Sequence, residues 1–193
     1  MEMYTQDWFS GNLPLWEKLF EVAYPDRNKK YNFLEIGSFE GRSTKWLCSN
    51  ILKNPSSKVY CIDTWSGGEE HANLDLSGLY DRFINNLQDE IAVGKVIPMR
   101  GYSNEQLMKF TEEQFDFIYV DGSHVASDVL LDLVYSFNLA KSGAVILCDD
   151  YGSDSYYRDP AHSPKLAIDT FTSFYYNKIS LVHNGYQFAF RKL

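Results

Sequence analysis

The sequence is poor in the features that mark several common classes of protein. It contains three cysteines, Cys48, Cys61 and Cys148, with no Cys-x-x-Cys pair, and each stands in an apolar stretch. This usage argues against a disulfide framework and against a cysteine metal site, and it favours small buried thiols in a reducing compartment. We therefore expect three free cysteines that pack in the core.

Long apolar runs and excess positive charge are also missing. No run approaches the length of a membrane span, and the first residues, MEMYTQDWFS, lack the basic start and the apolar stretch of a signal peptide. Acidic residues outnumber basic ones by 26 to 18, which gives a net charge of -8 and argues against nucleic acid or anionic lipid as the main partner. We expect a cytoplasmic protein that acts on neither nucleic acid nor membranes.

Two well-known nucleotide-binding patterns are absent. The stretch FLEIGSFEGRS has two glycines spaced Gly-x-x-x-Gly, at Gly37 and Gly41, whereas dinucleotide enzymes use Gly-x-Gly-x-x-Gly and P-loop enzymes need Gly-Lys-Ser/Thr. Glu35 precedes these glycines, and its charge would oppose a bound pyrophosphate. The pattern therefore indicates a close backbone approach to a different ligand, at the start of a helix.

Short apolar runs alternate with amphipathic segments, which predicts a parallel sheet covered by helices on both faces. We assign strands to YNFLEIG, KVYCID, KVIPMRG, FDFIYVD and GAVILCDD. KVIPMRG is expected at an edge because Pro98 cannot donate to a ladder. The helix after FDFIYVD would direct Asp128 and Asp132 outward. Near the end, Asn184-Gly185 predicts a two-residue turn in an antiparallel hairpin.

With 193 residues, of which 45% are hydrophobic, the chain has the size of a single domain. We divide it into an N-terminal helical cap segment, residues 1–30, and a Rossmann-like α/β core, residues 31–193. Ligands of open α/β sheets bind at the carboxyl ends of the strands. Acidic residues stand at these predicted ends, namely Glu35, Asp63, Asp121, Asp149 and Asp150.

The motifs FLEIGSFEGRS, VYCIDTW, MRGYSNEQL, FDFIYVDGSH and GAVILCDDY, in this order, resemble those of class I S-adenosylmethionine-dependent methyltransferases. The resemblance extends from Tyr31 to Leu193. It is strongest to macrocin-type sugar O-methyltransferases, with catechol and caffeoyl-CoA O-methyltransferases as more distant relatives. It implies a doubly wound, mostly parallel sheet of seven strands with the last one antiparallel, and a methyl acceptor that is a small molecule with a hydroxyl group, a sugar among the candidates.

The resemblance also implies a cofactor site for S-adenosylmethionine. The loop after the first strand would hold the methionine part, Asp63 would bind the ribose, and the remaining residues would border the adenosine or the sulfonium. The cofactor residues implied are Glu35, Gly37, Ser38, Gly41, Ser43, Asp63, Thr64, Trp65, Gly101, Tyr102, Ser103, Asp121, Gly122 and Ser123.

The remaining acidic residues and one histidine predict the chemistry. Asp121, Asp149 and Asp150 are oxygen ligands suited to Mg²⁺ or another divalent cation. Catechol-type relatives take a third ligand from an Asn shortly after the last acid, and YGSDSYYRDPAHSP contains none, which leaves the third ligand open. His124 stands where those relatives carry a basic lysine, and we predict it as the general base, with Asp121 beside it as a catalytic residue.

Other interpretations stay open. The chain could be a non-catalytic nucleoside-binding module of the same fold, or an NAD(P)-dependent oxidoreductase, although the glycine spacing speaks against the latter. Trp8 and Phe9 are either packing residues or a lid over the cofactor. Tyr156, Tyr157 and Arg158 are candidates for contacting a sugar or phosphorylated acceptor. A homo-oligomer is compatible with the sequence.

Overall fold

The computed structural model describes residues 3–68, 71–153 and 158–193. Its strands form one seven-stranded sheet in the order β3-β2-β1-β4-β5-β7-β6. The strands are β1 (Asn32–Ile36), β2 (Lys58–Asp63), β3 (Val96–Arg100), β4 (Phe115–Val120), β5 (Ala140–Cys148), β6 (Ile179–Asn184) and β7 (Phe188–Lys192). The first five pair in parallel, and β7 runs antiparallel to both β5 and β6. The predicted Rossmann-like sheet with a C-terminal hairpin is confirmed.

Helices flank the sheet on both faces. They are α1 (Leu13–Ala23), α2 (Arg42–Asn50), α3 (Leu79–Asn86), α4 (Gln88–Ala92), α5 (Ser103–Leu107), α6 (Ala126–Leu139) and α7 (Pro164–Tyr175), with short 3-10 turns at Ser10–Asn12 and Pro160–His162. In the described ranges, no helix has the length and apolar character needed to cross a membrane.

Alternation along the strands divides the interior into two cores. On one face, Phe33 and Phe117 pack with aromatic residues of α1, and α2 and α3 extend this core. On the other face, Leu34 and Ile118 pack with the apolar sides of α5, α6 and α7. Both faces are therefore buried, so ligand access is left to the edge of the sheet where the parallel strands end. All three cysteines are buried and free, as predicted.

Of two detailed predictions about the strands, the structure agrees with one and contradicts the other. β3 lies at one edge of the sheet, as Pro98 predicts, and pairs with β2. The hairpin is present, but its turn is three residues long, Gly185 to Gln187, because Asn184 pairs with Phe188 at the ends of β6 and β7. The prediction of a two-residue turn was wrong.

On α6 the predicted outward direction holds for Asp128, which is exposed, and fails for Asp132, which is only 2% exposed. Ser103, at the start of α5, lies against this carboxyl, so a neighbouring helix covers the turn that would otherwise face water. Tyr156 and Tyr157 lie outside the described residues, and their predicted acceptor contacts therefore stay predictions.

Candidate functional site

The loop between β1 and α2 passes very close to the end of β4. Gly37 has a φ of +85°, and a Cβ atom on it would lie 1.8 Å from the carbonyl oxygen of Asp121. Only glycine fits this crossing. Gly41 also has a positive φ, of +79°, but an added Cβ would meet Leu87 and Phe83. The second glycine thus allows helices to pack, while the first brings two strand ends together.

Glu35 lies inside β1, one residue before its end, and is fully buried. Its carboxyl group accepts hydrogen bonds from the hydroxyls of Ser43 and Thr44 in the first turn of α2. Burial raises the pKa of Glu35 to about 7, although these hydroxyl donors act in the opposite direction. Glu35 and Ser43, two of the predicted cofactor residues, are therefore hydrogen-bonded to each other, and this contact holds α2 against the sheet.

Asp63 ends β2 and connects two loops. Its carboxylate accepts hydrogen bonds from the backbone N–H of Phe39, at 2.8 Å, and of Trp65, at 2.6 Å. Burial raises its pKa in spite of these donors. Phe39 and Trp65 both have positive φ, at 45° and 50°, a conformation that is strained for bulky residues. The hydrogen bonds to Asp63 therefore hold the loops after β1 and β2 in a strained, left-handed backbone conformation at Phe39 and Trp65.

The remaining residues predicted for the adenosine lie beside Asp63. The N–H of Gly101, just after β3, donates to the carbonyl oxygen of Asp63 at 2.9 Å. Tyr102 is 68% exposed, and Ser103 opens α5. Trp65, which is predicted to border the adenosine, is only 4% exposed. Thr64 is half-buried between it and Asp63.

The acids at the ends of β4 and β5 are close together. Burial, together with the charges of Asp149 and Asp150, holds the pKa of Asp121 well above its usual range. The pKa of Asp149 is raised by burial and by the charge of Asp150. Burial acts to raise the pKa of Asp150 as well, but hydrogen bonds from His124 and Tyr186 outweigh it and lower the value. Such mutual repulsion is a reason for a cation to bind.

His124 lies between β4 and α6, with its Nε2 2.7 Å from Oδ2 of Asp150. Asp150 has a φ of 56°, a left-handed conformation that Asp tolerates better than most residues. The other oxygen of this carboxylate accepts a hydrogen bond from the Tyr186 hydroxyl. In the part of the chain that the structure describes, no three His, Cys, Asp or Glu side chains converge in metal-binding geometry.

Two small cavities open at this edge of the sheet, and Asp121 lines both. The first, of about 60 Å³, lies over the loop after β1 and is also lined by Ser38 and Ser43. The second lies between the ends of β4 and β5 and is bordered by six of the predicted residues, Asp121, Gly122, Ser123, His124, Asp149 and Asp150. The two cavities therefore adjoin at Asp121.

Residues 3–9 cross the first cavity. The N–H of Thr5 donates to Oε2 of Glu40 at 2.7 Å, and its hydroxyl donates to Oε1 at 2.8 Å. Trp8, which is 53% exposed, lies with its ring 4.8 Å from that of Phe39. Phe9 is buried beside Trp16. Trp8 and Phe9 both line this cavity, and Phe9 also packs in the core.

Two functional candidates escaped the sequence reasoning. Tyr119 lines the first cavity, and its hydroxyl donates to Oδ2 of Asp149. The alternation of β4 could have revealed it, since residues 119 and 121 point to the same face. Gln187, in the hairpin turn, donates to the same oxygen at 3.0 Å. Nothing local in the sequence signals this contact, because it joins residues 38 positions apart.

Comparison with known proteins agrees with the fold. Residues 34–151 match the family model described as "Methyltransferase domain". No curated protein matches the sequence.

Solved structures resemble the chain at low sequence identity. The O-methyltransferase TomG from Streptomyces achromogenes, solved with S-adenosylmethionine, is 19% identical with a TM-score of 0.68, and the match covers 93% of this chain and 79% of that one. An O-methyltransferase from Bacillus cereus, solved with S-adenosylhomocysteine, is 20% identical with a TM-score of 0.67, covering 98% and 84%. MycE of mycinamycin biosynthesis, solved with Mg and S-adenosylhomocysteine, is 18% identical with a TM-score of 0.62, covering 97% and 51%.

Proposed function

The chain belongs to the methyltransferase-domain family, and from this premise we propose that it transfers the methyl group of S-adenosylmethionine to a hydroxyl of a small molecule. The observation that carries the proposal is the position of Asp121 in both cavities. The first cavity lies over the loop of Gly37, and the second contains His124. A sulfonium in the first and a hydroxyl in the second would stand on either side of one carboxylate.

The cofactor would lie along the ends of β1, β2 and β3. Gly37 allows the backbone approach, Asp63 would bind the ribose, and Gly101 to Ser103 would border the adenine. The structural relatives TomG and the Bacillus cereus enzyme, which bind S-adenosylmethionine and S-adenosylhomocysteine, support this choice. Entry of a ligand of this size requires residues 3–9 to move, because the first cavity holds only about 60 Å³.

Asp121, Asp149 and Asp150 would hold a divalent cation. The donors fit by their chemistry and not by a converged geometry, since three hard oxygen ligands that repel one another are stabilised by Mg²⁺. MycE, solved with Mg, supports the choice. When bound, the cation would lower the pKa of the acceptor hydroxyl. His124 would then take the proton. A neutral ring that donates from Nε2 to Asp150 has its basic lone pair on Nδ1.

The acceptor class is a small molecule with a hydroxyl, and the resemblance to macrocin-type enzymes favours a sugar. The competing proposal is a non-catalytic nucleoside-binding module. This alternative predicts cofactor binding without turnover. The contact of His124 Nε2 with Oδ2 of Asp150, at 2.7 Å, favours a catalytic protein instead.

Calorimetry tests the cofactor and the cation separately. We expect S-adenosylmethionine and S-adenosylhomocysteine to bind with a stoichiometry of one, and NAD and NADP not to bind. Millimolar Mg²⁺ should raise the melting temperature, because a ligand of the folded state stabilises it. Binding of NAD in place of S-adenosylhomocysteine would overturn the proposal, and an unchanged melting temperature with Mg²⁺ would remove the cation from it.

His124→Ala tests the base. Methyl transfer to a panel of hydroxyl acceptors, followed as S-adenosylhomocysteine release, should fall by about 10²–10⁴, the usual range for a lost acid–base group. Affinity for S-adenosylhomocysteine should stay within twofold of the parent, since the imidazole faces Asp150. His162→Ala is the matched control, because His162 pairs with Asp159 in an exposed loop and lines neither cavity. Equal losses of affinity and turnover in His124→Ala would make His124 a binding residue.

A further inference from the structure

The carboxylate of Asp149 is held by three donors. Oδ2 accepts from the Tyr119 hydroxyl and from Nε2 of Gln187 at 3.0 Å, while Oδ1 accepts from the N–H of Asp150 at 2.8 Å. Asp149 is 8% exposed, and Tyr119 and Gln187 are almost fully buried. A carboxylate oxygen can accept two hydrogen bonds. The donors therefore occupy both acceptor positions of Oδ2 and one of those of Oδ1.

The amide of Gln187 can adopt only one orientation here. Its Oε1 accepts a hydrogen bond from the indole Nε1 of Trp16 at 3.0 Å. An indole N–H can only donate, so the amide oxygen must face Trp16 and the amide NH₂ must face Asp149. Trp16 is fully buried in α1, where its ring packs edge-on against those of Trp46 and Tyr119. The direction of the hydrogen bond to Asp149 is thus set from the N-terminal helix.

The hairpin turn that carries Gln187 is fixed to the loop of the two acids. The N–H of Gly152 donates to the carbonyl oxygen of Tyr186 at 2.9 Å, and a Cβ on Gly152 would lie 2.8 Å from Cα of Tyr186. The Tyr186 hydroxyl donates to Asp150. The turn and the acid loop therefore move as one unit, and Gln187 cannot shift relative to Asp149 without breaking several contacts.

We propose that Gln187 is a positioning residue, which orients the Asp149 carboxylate for a divalent cation and is itself oriented by Trp16. The inference rests on the proposed function, in which Asp149 is a ligand. By fixing Oδ2 with two donors, Gln187 and Tyr119 leave Oδ1 as the oxygen that can face the cation. Partners that orient a ligating carboxylate commonly change metal affinity by about 10–100-fold when removed.

Gln187→Met removes the amide donor at nearly constant side-chain length, and Gln114→Met is the matched control. Gln114 is half-buried and precedes β4, at the end of the sheet opposite Asp149. Mn²⁺ binding, followed by electron paramagnetic resonance of the free ion, should weaken about tenfold or more in Gln187→Met and stay within twofold in Gln114→Met. Affinity for S-adenosylhomocysteine, measured by calorimetry, should be unchanged in both.

Trp16→Phe supplies a second variant, which removes the indole N–H and lets the amide of Gln187 turn. Trp16→Phe should also weaken Mn²⁺ binding, but by less than Gln187→Met does. If Gln187→Met does not fold, the Mn²⁺ affinity of Trp16→Phe tests the positioning role of Gln187. A parent protein that binds no Mn²⁺ would overturn the proposed cation and this inference together. A parent that binds Mn²⁺ and a Gln187→Met variant that binds it equally well would overturn the inference alone. Parallel losses of Mn²⁺ and S-adenosylhomocysteine affinity would show a purely structural role.

Discussion

Gly37→Ala is the substitution whose effect the structure determines most directly. The backbone at Gly37 has a φ of +85°, and the added methyl group would lie 1.8 Å from the carbonyl oxygen of Asp121 and 2.4 Å from its carbonyl carbon. The obstacle is backbone at the end of β4, which is paired with β1 on one side and β5 on the other. Relief by rotation of a side chain is therefore not available.

The expected loss of stability has two parts. A left-handed conformation costs an L-residue about 1–2 kcal/mol relative to glycine. Forcing a methyl group into a packed region adds about 1–3 kcal/mol. The free energy of unfolding should therefore fall by about 2–5 kcal/mol, a large share of the roughly 5–15 kcal/mol that stabilises a typical protein. Because the strand ends would separate, S-adenosylhomocysteine should also bind more weakly.

Gly94→Ala separates the two parts. Gly94 has a φ of +70°, and nothing lies within 4 Å of the Cβ that it would gain. Only the backbone part applies, so the free energy of unfolding should fall by about 1–2 kcal/mol. Urea denaturation followed by circular dichroism measures both variants. Equal losses for Gly37→Ala and Gly94→Ala would refute the reasoning, since the close approach to Asp121 would then have no consequence.

Two further substitutions test the loops and the buried acid. Asp63→Ala removes the acceptor of the Phe39 and Trp65 N–H groups and also the proposed ribose ligand. Because a hydrogen bond to a charged group contributes about 1.5–3 kcal/mol, calorimetry should show at least about a tenfold loss of S-adenosylhomocysteine affinity. An unchanged affinity would contradict the proposed position of the ribose. Burial raises the pKa of Asp132 from 3.8 to about 7. The folded state therefore holds the proton more tightly than the unfolded state, and the parent loses stability as the pH rises from about 4 to about 7. Asp132→Asn lacks this loss, so its stability relative to the parent should improve by on the order of 3 kcal/mol between pH 4 and pH 8 in urea denaturation, and a constant difference would refute the assignment.

The fold could be predicted because its signals are local. Apolar runs of strand length alternate with helical patterns, and Pro98 marks an edge strand. The right-handed crossover rule then leaves few arrangements, and it places the ends of all parallel strands at one edge. The acids at this edge follow from the same rule, which is why Asp121, Asp149 and Asp150 could be grouped before the structure was known.

The contacts that shape the site could not be predicted in the same way. Glu35 was assigned to the ligand edge, but it stands one residue too early, and alternation turns it towards the hydroxyls of α2. Asp132 shares a helical stripe with exposed Asp128, but it is buried, and Ser103 of α5 lies against its carboxyl group. Gln187 reaches Asp149, and Thr5 reaches Glu40, across long separations that leave no pattern in the sequence.

The left-handed backbone at Asp150 also limits how this position can change during evolution. With a φ of 56°, the position accepts Gly, Asn or Asp far more readily than a β-branched or bulky residue. An exchange of Asp for Asn would remove one negative charge from the edge of the sheet while the loop kept its path. A single nucleotide change in the codon can make that exchange, so descendants of this protein can adjust the charge at the ends of β4 and β5 without rebuilding the loop that carries it.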